Sequence, residues 1–255
     1  MSASSAAGHT EAVNGFEMYY ETRGEGEPLV LLHGGGGVGS NWDLIFKEPP
    51  QGYRLVIPDL RGHGRSTNPS PGFTIRQLAL DVFALLDCLG IERFKAIGLS
   101  LGAKTLLHVA TQQPGQVEAM VLVSATPYFP QQARAIMREM TPDNRSEAEW
   151  DQMRQWHRHG DEQIRALWRQ MNAFKDSYED MNFTPPYLAT ITARTLLVHG
   201  DRDPLYPVRL AMEMYEAIPR AYLWVVPNGG HGPIFGDMAE SFVATALDFL
   251  RDEWR

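Results

Sequence analysis

The sequence predicts an α/β domain built on a mostly parallel sheet with helices on both faces. Short apolar runs alternate along the chain with helix-period patterns, as parallel strands joined by crossover helices require. At 255 residues and 44% apolar content, the chain has the material for one large, filled core. Gly98-Leu99-Ser100-Leu101-Gly102 follows the apolar run Phe94-Lys95-Ala96-Ile97 and precedes a helix-compatible stretch from Ala103 to Gln113, which reads as strand, sharp turn and helix.

Taken in order, Met1 to Thr10 has neither a positive n-region nor an apolar h-region, so it is expected to be a disordered lead rather than a signal peptide. Phe16 to Thr22 alternates like an antiparallel edge strand, and Gly24 to Pro28 turns it into the buried strand Pro28-Leu29-Val30-Leu31-Leu32. Tyr53 to Ile57 is the next strand. Thr74 to Leu89 is a helix, because Ile75, Leu78, Ala79, Val82, Leu85, Leu86 and Leu89 recur at spacings of three and four. Cys88 follows Leu85-Leu86 on it and is expected in the core. Ala119 to Val123 is the strand after the turn and helix around Ser100. Between Ala125 and Thr190 no strand signal occurs; Ile164, Leu167, Trp168, Met171 and Phe174 form one helical stripe, and Trp150, Met153 and Trp156 begin another. Thr195 to Val198 and Tyr222 to Val226 are the last strands, and Phe242, Ala246, Phe249 and Leu250 mark a closing helix.

Charge and composition exclude several roles. A formal charge of −8 without clustered Lys and Arg argues against nucleic-acid binding. No run of about eighteen apolar residues is present, so no membrane span is expected. Cys88 is the only cysteine, which precludes an internal disulfide and fits a reducing cytoplasm. His157-Arg158-His159 lacks a third metal ligand and reads as a solvated helix face.

Chemistry concentrates at the strand ends. A serine hydroxyl needs a base, an acid that orients the base, and donors for the developing oxyanion. Small residues at Gly98 and Gly102 allow the tight turn that leaves Ser100 exposed. His33-Gly34-Gly35-Gly36-Gly37 follows the first buried strand and offers backbone N–H groups, with Gly35 and Leu101 as the oxyanion candidates. His199-Gly200-Asp201-Arg202-Asp203 supplies two competing carboxylates. His231, in Pro227-Asn228-Gly229-Gly230-His231-Gly232-Pro233, is the only histidine after them.

With Pro58-Asp59-Leu60-Arg61-Gly62-His63-Gly64-Arg65-Ser66 added, the chain resembles α/β-hydrolases of the single-domain esterase, lactonase and cofactor-free haloperoxidase type, from about Gly15 to the C-terminus. The resemblance implies an eight-stranded, mostly parallel sheet. It also implies a core of residues 11–126 and 191–255 and a helical cap at 127–190. The family pattern places the acid at Asp203 rather than Asp201, which leaves Asp201 as a turn former or an ion-pair partner. Ser100, His231 and Asp203 would then cleave a small carboxylic ester or lactone with no metal or organic cofactor. Trp168 and Met171 are expected to contact substrate from a roof apolar enough to favour uncharged esters. Ser100 rules out a haloalkane dehalogenase, which needs a carboxylate nucleophile. Carbon–carbon bond hydrolases, perhydrolases and hydrolase-fold ligand receptors share the triad order.

Overall fold

The computed structural model describes residues 7–70 and 72–253. Strands β1 (Ala7–Val13), β2 (Phe16–Arg23), β3 (Glu27–Leu32), β4 (Tyr53–Pro58), β5 (Phe94–Leu99), β6 (Val117–Val123), β7 (Arg194–Gly200) and β8 (Ala221–Val226) form one sheet in the order β1-β2-β4-β3-β5-β6-β7-β8. Pairing is antiparallel at β1/β2 and β2/β4 and parallel across the rest. The helices are α1 (Ile75–Cys88), α2 (Leu101–Gln112), α3 (Gln131–Arg138), α4 (Glu147–Trp156), α5 (Gly160–Ala173), α6 (Pro185–Leu188), α7 (Val208–Ala217) and α8 (Ala239–Leu250).

The central strands are buried on both faces, as parallel strands under helices must be. In β3, Leu29 and Leu31 join the cluster that contains Trp42, Phe46, Phe242 and Phe249. Val30 and Leu32 point the other way, into the cluster shared with α1, α2 and α7. Thr74 caps α1 by accepting from the Gln77 N–H at 2.9 Å. The segment between β6 and β7 contributes Ala133, Met137, Met153, Ile164, Leu167 and Phe174 to that second core.

Two expectations need correction. Residues 7–10 belong to β1, which takes the sheet edge expected of Phe16 to Thr22; residues 1–6 of the expected lead lie outside the described residues. The reason is a hairpin. Asn14 and Gly15 have φ of 44° and 80°, the two positive values of a type I′ turn, so the chain folds back and pairs Val13 with Phe16. Cys88 is exposed, because the last turn of α1 swings it off the apolar stripe.

β3 and β5 are neighbours from which the chain winds outward in opposite directions, and at such a switch point the loops after the strands part and leave a crevice. The loops that follow these two strands are Gly34–Gly37 and the turn at Ser100.

Candidate active site

Ser100 joins β5 to α2 with φ 49° and ψ −100°, a conformation that L-residues rarely adopt. Its N–H donates to the Val123 carbonyl at 2.8 Å, and the Gly102 N–H donates to the His33 carbonyl at 3.0 Å. A Cβ at Gly102 would sit on the Leu32 carbonyl, and one at Gly98 would lie 2.6 Å from the Ala103 nitrogen. Only glycine fits at either place.

The loop after β8 carries His231 to this turn. Its Nε2 is 2.8 Å from Ser100 Oγ, and its Nδ1 is 2.8 Å from Asp203 Oδ2. An ionised carboxylate only accepts, so Nδ1 carries the hydrogen and Nε2 is left to accept from the serine hydroxyl. Asp203 Oδ1 accepts from the N–H groups of Leu205 at 2.8 Å and Tyr206 at 3.1 Å. Burial pushes the Asp203 carboxyl up, but His231 and these two donors outweigh it and hold the group below the usual range. Asp201 is exposed in the preceding turn, where its N–H donates to the Val226 carbonyl.

Ser100 and His231 open into a cavity of about 370 Å³ that Gly35, Leu101, Trp168 and Met171 also line. Among the described residues, the N–H groups of Gly35 and Leu101 donate to no backbone or side-chain acceptor. A Cβ at Gly35 would lie 2.9 Å from Met171 Sδ, so α5 rests directly on the glycine loop. Within the α5 stripe, Ile164, Leu167 and Phe174 are buried, and Trp168 and Met171 are only partly so.

Three buried histidines brace the glycine loop from behind. His63 Nε2 accepts from the Gly36 N–H at 3.1 Å, and His33 Nε2 accepts from the Leu60 N–H at 2.9 Å. His157 Nδ1 accepts from the Gly64 N–H at 2.8 Å while its Nε2 donates to the Gly36 carbonyl at 3.1 Å. His157 is thus 2% exposed, which overturns the solvated face expected of it; the chain leaves α4 there and turns the ring inward. Burial lowers all three, His33 and His157 to about 4 and His63 well below the usual histidine value.

The wall also holds groups that sequence reasoning passed over. Lys104, one helical turn beyond Ser100, is 4% exposed and donates from Nζ to Tyr206 Oη at 2.8 Å. Its only sequence signal is a cation in the middle of an apolar helical stretch. Tyr206 in turn packs edge-on against His231, with centroids 5.3 Å apart. Arg145 lines the cavity too, above the Trp168 ring at 4.9 Å. The cavity lining is therefore mostly apolar but interrupted by two cations, Arg145 in the expected roof and Lys104 in the wall beside Ser100.

Comparison with known proteins agrees with this architecture. A family model described as the alpha/beta hydrolase fold matches residues 27–237. A Pseudomonas putida protein, 2-hydroxy-6-oxononadienedioate/2-hydroxy-6-oxononatrienedioate hydrolase 2, is 30% identical over 274 residues that cover 92% of this chain and 92% of the relative. A non-heme chloroperoxidase from Burkholderia pyrrocinia is 28% identical over 256 residues, covering 85% and 90%. The meta-cleavage product hydrolase of Pseudomonas fluorescens IP01 superposes with a TM-score of 0.80 over 96% of this chain and 98% of that one. Its 20% identity makes this a likeness of fold alone.

Proposed function

The chain belongs to the alpha/beta hydrolase family, and from that premise we propose that it is a serine hydrolase of carboxylic esters or lactones, with Ser100 as nucleophile. The observation that carries the proposal is the hydrogen-bonded chain from Ser100 Oγ through His231 to Asp203, set on a strained turn that faces a cavity. In the mechanism, Oγ bonds to the carbonyl carbon as its proton passes to His231 Nε2. Asp203 keeps Nδ1 protonated and stabilises the imidazolium. The N–H groups of Gly35 and Leu101 receive the oxyanion, which costs no reorganisation because both are held by the fold. The imidazolium then gives its proton to the leaving alcohol. Water, deprotonated by the same nitrogen, releases the acid from Ser100. No step calls for a metal or organic cofactor.

In this reading residues 127–190 cap a core of 11–126 and 191–255. The lone Cys88 fits action in a reducing cytoplasm; among the described residues no helix is long and apolar enough to cross a membrane.

The test is covalent labelling with a fluorophosphonate, combined with a panel of p-nitrophenyl esters of graded length, lactones and a vinylogous diketone. One equivalent on the Ser100 peptide, lost in Ser100→Ala together with hydrolysis, is the expected result. Labelling or undiminished hydrolysis in the variant would overturn the assignment. A ligand receptor of this fold would turn over none of the panel. Carbon–carbon bond hydrolysis is the second reading, favoured by the name of the Pseudomonas putida relative, and preferential turnover of the diketone would establish it.

A further inference from the structure

Lys104 presents an unusual combination. It sits in the first turn of α2, where a helical side chain leans back toward the N-terminus and so toward Ser100. It lines the same cavity as Ser100 and His231 and is 4% exposed. An ammonium has three hydrogens to donate, and Nζ uses one, to the neutral hydroxyl of Tyr206. The faces of Phe129 and Tyr206, each 5.1 Å from Nζ, complete its surroundings. Among the described residues no carboxylate forms an ion pair with it. Those nearest in effect are already engaged: Asp203 with His231, Leu205 and Tyr206, and Asp180 with the N–H groups of Ile75 and Arg76.

The rest of the wall repeats the pattern. No Asp or Glu lines the cavity, and Arg145 is its second cation. Arg145 is partly engaged, its Nη1 pairing with Glu149 at 2.8 Å and its Nη2 donating to the Glu139 carbonyl at 2.6 Å. A cavity with two cations, unspent hydrogens on Lys104 Nζ and no lining carboxylate is complementary to an anion, which would make charge-assisted hydrogen bonds there.

Given the serine-hydrolase reading above, we infer that the substrates are esters or lactones that carry a carboxylate, and that Lys104 Nζ receives it. The site that orients the carboxylate lies beside the reacting centre, because Tyr206 touches both Lys104 and His231. Burial pushes the Lys104 ammonium down to about 7, with Asp203 and Asp180 drawing it upward. A bound carboxylate acts in the same direction as those two and keeps the ammonium charged.

The experiment compares matched pairs in which a methyl group stands in place of the carboxylate. Monomethyl adipate against methyl hexanoate places the carboxylate on the acyl side, and 4-acetoxybutanoate against butyl acetate places it on the alcohol side. For the wild type, kcat/KM is expected to favour the anion by about tenfold or more in at least one pair, through KM. Lys104→Met should collapse that ratio and Lys104→Arg should preserve much of it. A wild type that prefers the neutral member of both pairs overturns the inference, and so does a folded Lys104→Met that keeps the ratio. Calorimetric titration with adipate separates the two readings. If Ser100 takes no label and no ester is cleaved, the hydrolase reading fails, and the inferred substrate class falls with it. Adipate binding lost in Lys104→Met would then still support the anion site, and its absence in wild type would refute it.

Discussion

Asp201 and Asp203 lie two positions apart in one turn, yet only Asp203 is turned inward to His231. The carboxylate that orients the imidazole fixes its tautomer, so Asp203→Asn should lower kcat by about four orders of magnitude. Asp201 is exposed, and Asp201→Asn should leave kcat within about threefold, as a surface change worth a few tenths of a kcal/mol does. Steady-state kinetics on the two purified variants checks the ranking, and the reverse order would move the acid to Asp201. Sequence spacing alone left both carboxylates open, since residues two apart in a turn can point in unrelated directions. What separates them is the pair of N–H groups at Leu205 and Tyr206 that fix Oδ1.

At the scale of elements, α5 divides its apolar stripe between two tasks. Ile164 is fully buried and takes no part in the cavity wall, Leu167 is buried but reaches that wall, and Trp168 and Met171 are partly exposed to the cavity. Trp168→Ala and Met171→Ala should therefore shift the preferred chain length in a p-nitrophenyl ester series, while fluorophosphonate labelling of Ser100 persists. Ile164→Ala should instead lower stability by about 2 to 5 kcal/mol, read as a fall in the urea midpoint. A sharp loss of stability with an unchanged ester ranking in the Trp168 and Met171 variants would make both of them packing residues. The stripe was legible in the sequence because periodicity specifies which residues share a helix face. Its division was not, because that depends on where the helix settles over Gly35. The strands around Ser100 were legible for a similar reason: continuous apolar runs bounded by glycine admit few alternatives. β1 was missed although Asn14-Gly15 is a strong local hairpin signal, since its exposed alternation lacks the apolar content that marks the central strands. Lys104 was passed over and His157 misjudged because their surroundings come from remote segments. The partners of His157 are Gly36 and Gly64, 121 and 93 residues away.

Those long-range contacts tie the molecule together and make its stability depend on pH. At the α4–α5 junction His157 bonds Gly36 and Gly64, the Arg158 N–H donates to the Gly64 carbonyl at 2.9 Å, and Gln163 donates to the carbonyls of Gly62 and Ser66. Each buried histidine ring uses one nitrogen as an acceptor, and protonation abolishes that acceptor. A histidine titrates near 6.5 in the unfolded chain, and His33 and His157 are pushed to about 4 by burial. Between those values the unfolded chain binds more protons than the folded one, so the histidines' contribution to stability is fully present above about pH 6.5 and falls as pH drops toward 4. His63 and His108, also lowered by burial, act with the same sign. Asp203, held low, withdraws its own contribution only below about pH 4, and Asp59, pushed up by burial, opposes the trend near that limit. Each of His33 and His157 should cost about 1 kcal/mol for every pH unit through the middle of the window. Urea denaturation from pH 7.5 to 4.5 should show this loss, and His157→Asn, which keeps an acceptor near Nδ1 but cannot titrate, should flatten the slope. An unchanged slope would mean that the His157 ring takes up its proton without disturbing the glycine loop. In that case the junction between α4 and α5 would hold the turn at residues 62–66 through Arg158 and Gln163 alone.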